Sequence, residues 1–548
     1  MAEAIDGAAG WSRRDFLRVG AMTAGAVALG PTLAACAGSS SGGKGKSSNG
    51  SAAKFSGGPS KAGTPKRGGI LRVGLLTNGT SETISVPGTL NEPDFARIFN
   101  LYDPMFFQDA GGKASPALIE SAQPNGDATV WTMKVRQGVE WHDGKPLTPE
   151  DIVWTIQHSW GNKNNLFFAG LAQVVDFAAC KKTGPAEVKV VLKHGIAQFP
   201  TLTCFPNCLV VQDGTTDFTK GVGTGPFKLE SFKPGARSEF VANKNYWVKD
   251  QPYVERLVID SSFSSEQARI NALLAGQIDI APAPSPALAK ANAASGRIVL
   301  GNQPGPGFTP IIMRVDKGPL ANPDLRRALK LIPDRELYVE TAFNGYATVG
   351  NDLGGYTDQF FATDIKAEHN PDKAKSLLKK AGMQGATLTL PTSAAFAGMN
   401  ETAALFAQQA KAAGLNIKLN TIDPSVFFTP AASVFERPFA TSFYATGVNS
   451  IALYYLATAL KGGIYNECHF GSPQDDALIF KALKELDDAK AKASWEDVQK
   501  RQVDFGGYIV PANFNYLDAY SPQVRGIQTT SALNCDNFNF KTAWLNKS

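Results

Sequence analysis

The sequence predicts an α/β protein built from several lobes around a cleft. Three observations carry this. The chain has 548 residues, more than one hydrophobic core holds, so two to four domains are expected. Strand-type and helix-type periodicity alternate along its length. Residues 388–419 read as strand, helix, strand, a parallel pair whose crossover helix packs on the sheet. With 43% hydrophobic and 19% charged residues, the bulk is ordinary globular chain, which excludes wholly disordered, collagen-like and polytopic membrane proteins.

Residues 1–35 read as an export address. Ser12-Arg13-Arg14-Asp15-Phe16-Leu17-Arg18 has the twin-arginine form, and a mildly apolar run from Val19 to Ala35 follows. That run is a poor membrane span and a good signal core. It ends in Leu33-Ala34-Ala35-Cys36, which resembles a lipobox cleaved before a Cys that receives lipid. A plain secreted protein with an accidental Cys36 is the alternative. Residues 36–68 are rich in Gly, Ser, Ala and Lys, with Phe55 as the only large apolar side chain, so they cannot repay ordering entropy. A Gly/Ser chain of about 30 residues reaches roughly 30 Å, the span of a tether.

Charge follows the same division. The net charge is +5, and residues 36–68 hold six Lys/Arg and no acid. Residues 69–548 balance 45 Lys/Arg against 46 Asp/Glu, so no broad nucleic-acid-binding face is expected. Two motif matches in the tether are accidents of low complexity. Gly38-Ser39-Ser40-Ser41-Gly42 lacks the strand and helix that a hydrolase elbow needs, and Gly45-Lys46-Ser47 follows Ser40 where a phosphate loop needs Gly.

In the folded part, Trp131, Met133 and Val135 alternate with Thr132, Lys134 and Arg136, a half-buried strand. Asp143-Gly144-Lys145-Pro146 turns the chain, and Thr148-Pro149-Glu150-Asp151 opens a helix with a capping residue, Pro at the first position and acids on its positive end. Ile152, Val153, Ile156 and Trp160 give that helix one apolar face. Asn322-Pro323-Asp324 opens another helix, and Asn370-Pro371-Asp372 opens one that closes at Gly382. Leu388 and Leu390, a helix over residues 401–413, and Leu415, Ile417 and Leu419 complete the strand-helix-strand unit.

Several of these segments, taken in order, resemble the family 5 extracellular solute-binding proteins of ABC importers, the dipeptide-, oligopeptide- and nickel-binding receptors. Trp131 to Ile156, with Trp141-His142-Asp143-Gly144-Lys145-Pro146 at its centre, is similar to the family signature. Gly223-Thr224-Gly225-Pro226-Phe227, Asn243-Lys244-Asn245-Tyr246-Trp247, Leu274-Ala275-Gly276-Gln277-Ile278-Asp279-Ile280, Pro323-Asp324-Leu325-Arg326-Arg327-Ala328-Leu329 and Pro371 to Leu378 follow in the family's order. The resemblance covers roughly residues 69–548. It implies a periplasmic-binding-protein-like α/β fold of the three-lobe peptide-binding type, two large lobes with a hinge and cleft plus a smaller inserted lobe. Lobe I would combine residues 69–95, 206–295 and 511–548, lobe II would be 96–205, and lobe III 296–510. It further implies capture of a small organic solute in the interlobe cleft and its delivery to permease subunits with their ATPases. The chain would be a monomer held at the membrane by lipid alone, with no cofactor, no metal, no nucleic acid and no catalytic residues. A ligand-sensing or chaperone-like lipoprotein of this fold is the alternative, and a secreted hydrolase ranks behind both, since no nucleophile with a base can be read off.

The His142, Gly223–Gly225 and Asn243–Trp247 segments read as scaffold: a strand-to-helix turn, a tight turn before a strand, and a polar turn ending in an aromatic anchor. The binding residues depart from the family pattern. Peptide-binding members carry an acidic stretch where this chain has Phe443-Tyr444-Ala445-Thr446-Gly447-Val448-Asn449-Ser450, and an Arg where it has Pro391-Thr392-Ser393-Ala394-Ala395-Phe396. An unpaired charge buried there would cost several kcal/mol, so a zwitterionic dipeptide is not expected, and a polar, mostly uncharged solute is expected instead, peptide-like, opine-like or a glycoside. The resemblance points to Asn78, Thr80 and Glu82 on the cleft floor and to Tyr444, Asn449, Tyr454, Tyr455, Asn466 and Glu467 on the facing lobe, with Tyr454 and Tyr455 equally readable as helix core. Glu82 and Glu467 keep an organic cation open as the ligand. Beyond Cys36, the cysteines are Cys180, Cys204, Cys208, Cys468 and Cys535, and one or two disulfides are expected outside the cytoplasm. Five scattered His residues offer no metal-binding pair at helical spacing.

Overall fold

The computed structural model describes residues 63–546 apart from 110–111, 164, 166–167, 429–433, 446–449, 464 and 528–532. Arg13, Arg14, Cys36 and Asn449 lie outside the described residues.

Ile70–Leu76 is an almost unbroken apolar run, the pattern of a strand covered on both faces, and it forms the centre of a mixed seven-stranded sheet. Across that sheet the order is Val299–Gln303, Tyr516–Tyr520, Ile280–Pro282, Ile70–Leu76, Arg256–Phe263, Arg237–Ala242, Phe227–Phe232. Ile70–Leu76 runs parallel to both neighbours, and the remaining pairs are antiparallel. The sheet therefore draws on the start, middle and end of the folded chain. Leu71, Val73, Leu75, Ile98, Phe227, Leu257 and Ile259 fill its core. Val299–Gln303 pairs with Tyr516–Tyr520 in register Val299↔Tyr520.

A second, antiparallel sheet orders Ile119–Pro124, Val130–Val135, Glu187–Val191 and Lys181–Gly184. Trp131, Met133 and Val135 point into its core as their alternation requires. The helix after it begins at Pro149, with Asp151 accepting the Thr148 N–H at 2.7 Å, and buries Ile152 and Ile156. The strand-helix-strand unit also forms: Thr387–Thr392 and Asn416–Thr421 pair in parallel around the helix Met399–Ala412. Asn322 and Asn370 cap their helices, accepting the Asp324 and Lys373 N–H groups at 2.9 Å each.

The scaffold segments have physical duties. His142 sits among the backbone groups of Gly221, Gly223 and Gly225. A Cβ on Gly223 would lie 1.8 Å from the Leu101 carbonyl oxygen, so only glycine lets those two backbones meet. Tyr246 and Trp247 donate to the buried Asp103 at 3.0 and 2.9 Å.

The cysteines require a correction. Cys180, Cys204, Cys208, Cys468 and Cys535 are all free. Four are buried and Cys204 partly so, and they serve as small apolar side chains. Burial pushes the Cys180 thiol up to about 11 and the Cys468 thiol up to about 12.

Two segments carry the chain between the large sheet and the third lobe, residues 304–310 and 510–515, each running between a strand of the large sheet and a strand of a three-stranded sheet ordered Phe439–Thr441, Ile311–Met313, Tyr508–Ile509. They run side by side: Phe308 bridges Asn513, and the Phe514 N–H donates to the Gly307 carbonyl at 2.9 Å. Two adjacent crossings between rigid lobes are the form of a hinge. No helix among the described residues is long and apolar enough to cross a membrane.

Candidate functional site: an aromatic cleft

A cleft of about 1050 Å3 lies where the lobes meet, at the upper end of ordinary small-molecule sites. Its floor comes from the large sheet's surroundings (Asn78, Asn91, Glu92, Arg269 and Asn515), and Trp160 and Phe199 reach it from the inserted lobe.

Phenylalanine rings from the third lobe and the crossing strand wall the cleft. Phe396 stacks on Phe443 with centroids 4.6 Å apart and planes 4° from parallel, Phe514 lies 5.4 Å from Phe396, and Phe428 meets Phe443 edge-on at 5.4 Å. Such a row presents flat apolar faces to a solute. Sequence reading weighed tyrosines and passed over these rings, although Phe396 ends the loop in which it looked for an Arg and Phe443 precedes Tyr444.

Tyr444 and Glu467 do meet in the cleft wall. Tyr444 pairs in a short bridge with Phe308 and stacks on its ring at 5.0 Å, which fixes its direction. Its hydroxyl donates to Glu467 Oε2 at 3.1 Å and lies 2.9 Å from the Tyr508 hydroxyl. Ser442 donates to Glu467 Oε1 at 2.9 Å. Burial raises the Glu467 carboxyl to about 7, against the pull of those two hydrogen bonds and of Arg437. A carboxylate thus stands in the cleft although the local acidic stretch is missing, brought in from 23 residues beyond Tyr444.

The other anticipated residues divide. Tyr454 lines the cleft from the helix Ile451–Thr458, edge-on to Phe308 and Tyr444. Tyr455, one residue and about 100° further round the helix, is fully buried and packs on Trp495 at 5.7 Å instead. Asn466 closes its own loop, donating to the Leu460 and Phe470 carbonyls and accepting the Phe470 N–H. Asn78 lines the cleft, whereas Thr80 is exposed beside it.

Glu82 is placed away from the cleft lining. It forms a fully buried ion pair with Arg97 at 2.7 Å and accepts hydrogen bonds from Ser261, Gly235 and Asn78. Its oxygens are committed to scaffold, so no lone pair faces a solute. Among the described residues, no group of three or more His, Cys, Asp or Glu side chains is arranged to hold a metal.

Comparison with known proteins agrees with this geometry. Residues 113–462 match the family described as bacterial extracellular solute-binding proteins, family 5 middle. A probable peptide ABC transporter periplasmic-binding protein of Sinorhizobium fredii is 23% identical over 474 residues, 78% of this chain and 86% of that one. The substrate-binding protein CtaP of Listeria monocytogenes superposes with a TM-score of 0.76 at 20% identity, over 88% of this chain and 100% of that one. DppA of Helicobacter pylori, in complex with the peptide STSA, superposes with a TM-score of 0.72 at 18% identity, over 88% of this chain and 99% of that one. With the motif blocks lying inside the matched residues 113–462, the chain belongs to family 5 of the bacterial extracellular solute-binding proteins.

Proposed function

We propose that this protein is the extracytoplasmic receptor of an ABC importer, capturing a compact organic solute between its lobes and presenting it to the permease. The observation that carries the reading is the cleft of about 1050 Å3, walled by stacked rings and bounded by two adjacent crossing strands. Binding energy gained by burying a solute against both sides is available only when the lobes close, so closure reports occupancy to a partner. Aromatic faces with a few polar groups suit a peptide-like solute first, with an opine-like conjugate or a glycoside as related chemistries. Tyr444 and Glu467 would orient it, with Tyr454 and Asn78 beside them. Export by the twin-arginine route, attachment through a lipidated Cys36 and action as a monomer complete the proposal.

Mass spectrometry of whatever is released by denaturing the natively exported, full mature protein identifies the solute. Returned to the refolded protein, it should raise the melting temperature, and a released species that neither rebinds nor stabilises would overturn the reading.

A further inference from the structure

Arg269 lines the floor of the cleft and is 1% exposed. Its Nη2 donates to the Ala283 carbonyl at 3.2 Å, while Nε and Nη1 have no hydrogen-bond partner. Four of the guanidinium's five N–H donors thereby make no hydrogen bond among the described residues. A buried cation with open donors is costly unless an anion or strong acceptor meets it. Among the described residues no carboxylate oxygen lies within 4.0 Å of its nitrogens.

Three acids surround it at longer range, Glu92, Glu266 and Asp518. Two are engaged by the fold. Asp518 accepts from Asn534 and from the Cys535 N–H at 2.9 and 2.8 Å, and Glu266 accepts the Ser285 N–H at 3.0 Å. Glu92, the first residue of the helix Glu92–Leu101, lines the cleft beside Arg269 and accepts no hydrogen bond from the described residues. Burial raises its carboxyl to about 7, with Arg269 pulling it down. Arg269, Glu92 and Glu266 thus line the cleft with bonding capacity left over, and of the two acids Glu92 has both oxygens uncommitted among the described residues.

Resting on the capture reading above, we infer that Arg269 and Glu92 form a zwitterion subsite: Arg269 takes a carboxylate of the solute and Glu92 a neighbouring amino group. The ligand class is an amino acid, a short peptide or an amino-acid conjugate with both ends free. A charge-assisted bond to each group satisfies donors and acceptors that the protein itself leaves open, and the pair is neutral overall. The expectation of a mostly uncharged solute arose because the charges are missing from the third lobe. They are present on the opposite wall.

The test uses the full mature protein and mixtures of L-amino acids, dipeptides and tripeptides in four end forms: free, C-amidated, N-acetylated and doubly blocked. Bound species are captured, weighed and titrated, with melting curves to verify folding. Free forms should bind at least tenfold more tightly than amidated ones, Arg269→Gln should abolish that difference, and Arg269→Lys should restore part of it. Glu92→Gln, on a partly exposed residue, should abolish the preference over N-acetylated forms. If the wild type takes amidated and free forms equally, or both variants keep its preferences, the subsite is overturned while capture stands. If no form binds in any mixture, capture of amino-acid-derived solutes falls and the subsite with it.

Discussion

Glu467 shows how one buried carboxyl ties stability to pH. Its folded value is raised to about 7, above the usual carboxylate range, so the folded chain holds a proton that the unfolded chain releases near pH 4.5. The resulting stabilisation is full below about pH 4.5 and is lost as pH rises through about 7. Glu92 and Asp94, also raised to about 7, and Asp358, raised to about 6, act in the same direction. Melting temperature should therefore fall between pH 5 and pH 8, and Glu467→Gln should flatten part of that slope; an unchanged slope would show that Glu467 titrates normally. Glu82 acts through its buried ion pair with Arg97. Glu82→Gln leaves the buried Arg97 with only Asp94, 3.9 Å away, as a carboxylate partner and should cost about 3–5 kcal/mol in denaturant unfolding, with ligand affinity little altered. A variant that keeps its stability but loses affinity would return Glu82 to the cleft.

At the scale of elements, the crossing strands set what the hinge tolerates. A Cβ on Gly305 would stand 2.6 Å from the Phe514 carbonyl oxygen on the neighbouring crossing strand. Backbone cannot yield as a flexible side chain can, so Gly305→Ala should cost about 1–3 kcal/mol and shift the lobes apart, read as lower thermal stability and a larger radius of gyration without ligand. The cysteines make a second test. With all five free and four of them buried, reductant should leave the melting temperature unchanged, and thiol reagent should react slowly until denaturant is added. A fall of several degrees on reduction would reveal a stabilising bridge. Helix starts were legible because Asn-Pro and Thr-Pro pairs act locally. Pairing of cysteines was not, because it depends on where distant segments settle.

For the molecule as a whole, capture by closure predicts a decrease in radius of gyration on saturation with the solute released from the native protein, without change of mass. Mass action adds about 2.7 kcal/mol of stability at a hundredfold excess over Kd. Scattering curves that superpose with and without solute would remove closure from the account. Anchoring is separable: if the proposed lipidation of Cys36 holds the protein at the membrane, Cys36→Ala should move the mature protein to the soluble fraction, and a variant that stays with membranes would overturn that proposal.

Local chemistry explains what the amino-acid sequence by itself determined: the helix caps from short side chains beside proline, the half-buried strand from its alternation, and the family from ordered blocks. These depend on neighbours within a few residues or on order along the chain. The cleft's lining was decided only by the tertiary structure. Both tyrosines are buried, but Tyr454 lines the cleft while Tyr455 packs on Trp495; Glu82 meets Arg97, 15 residues on, with Ser261 from a distant strand. Glu467 returns a carboxylate that the local stretch lacks, and Arg269 brings a guanidinium to the opposite wall. Burial and partnership are sums over segments hundreds of residues apart, and no local pattern contains them.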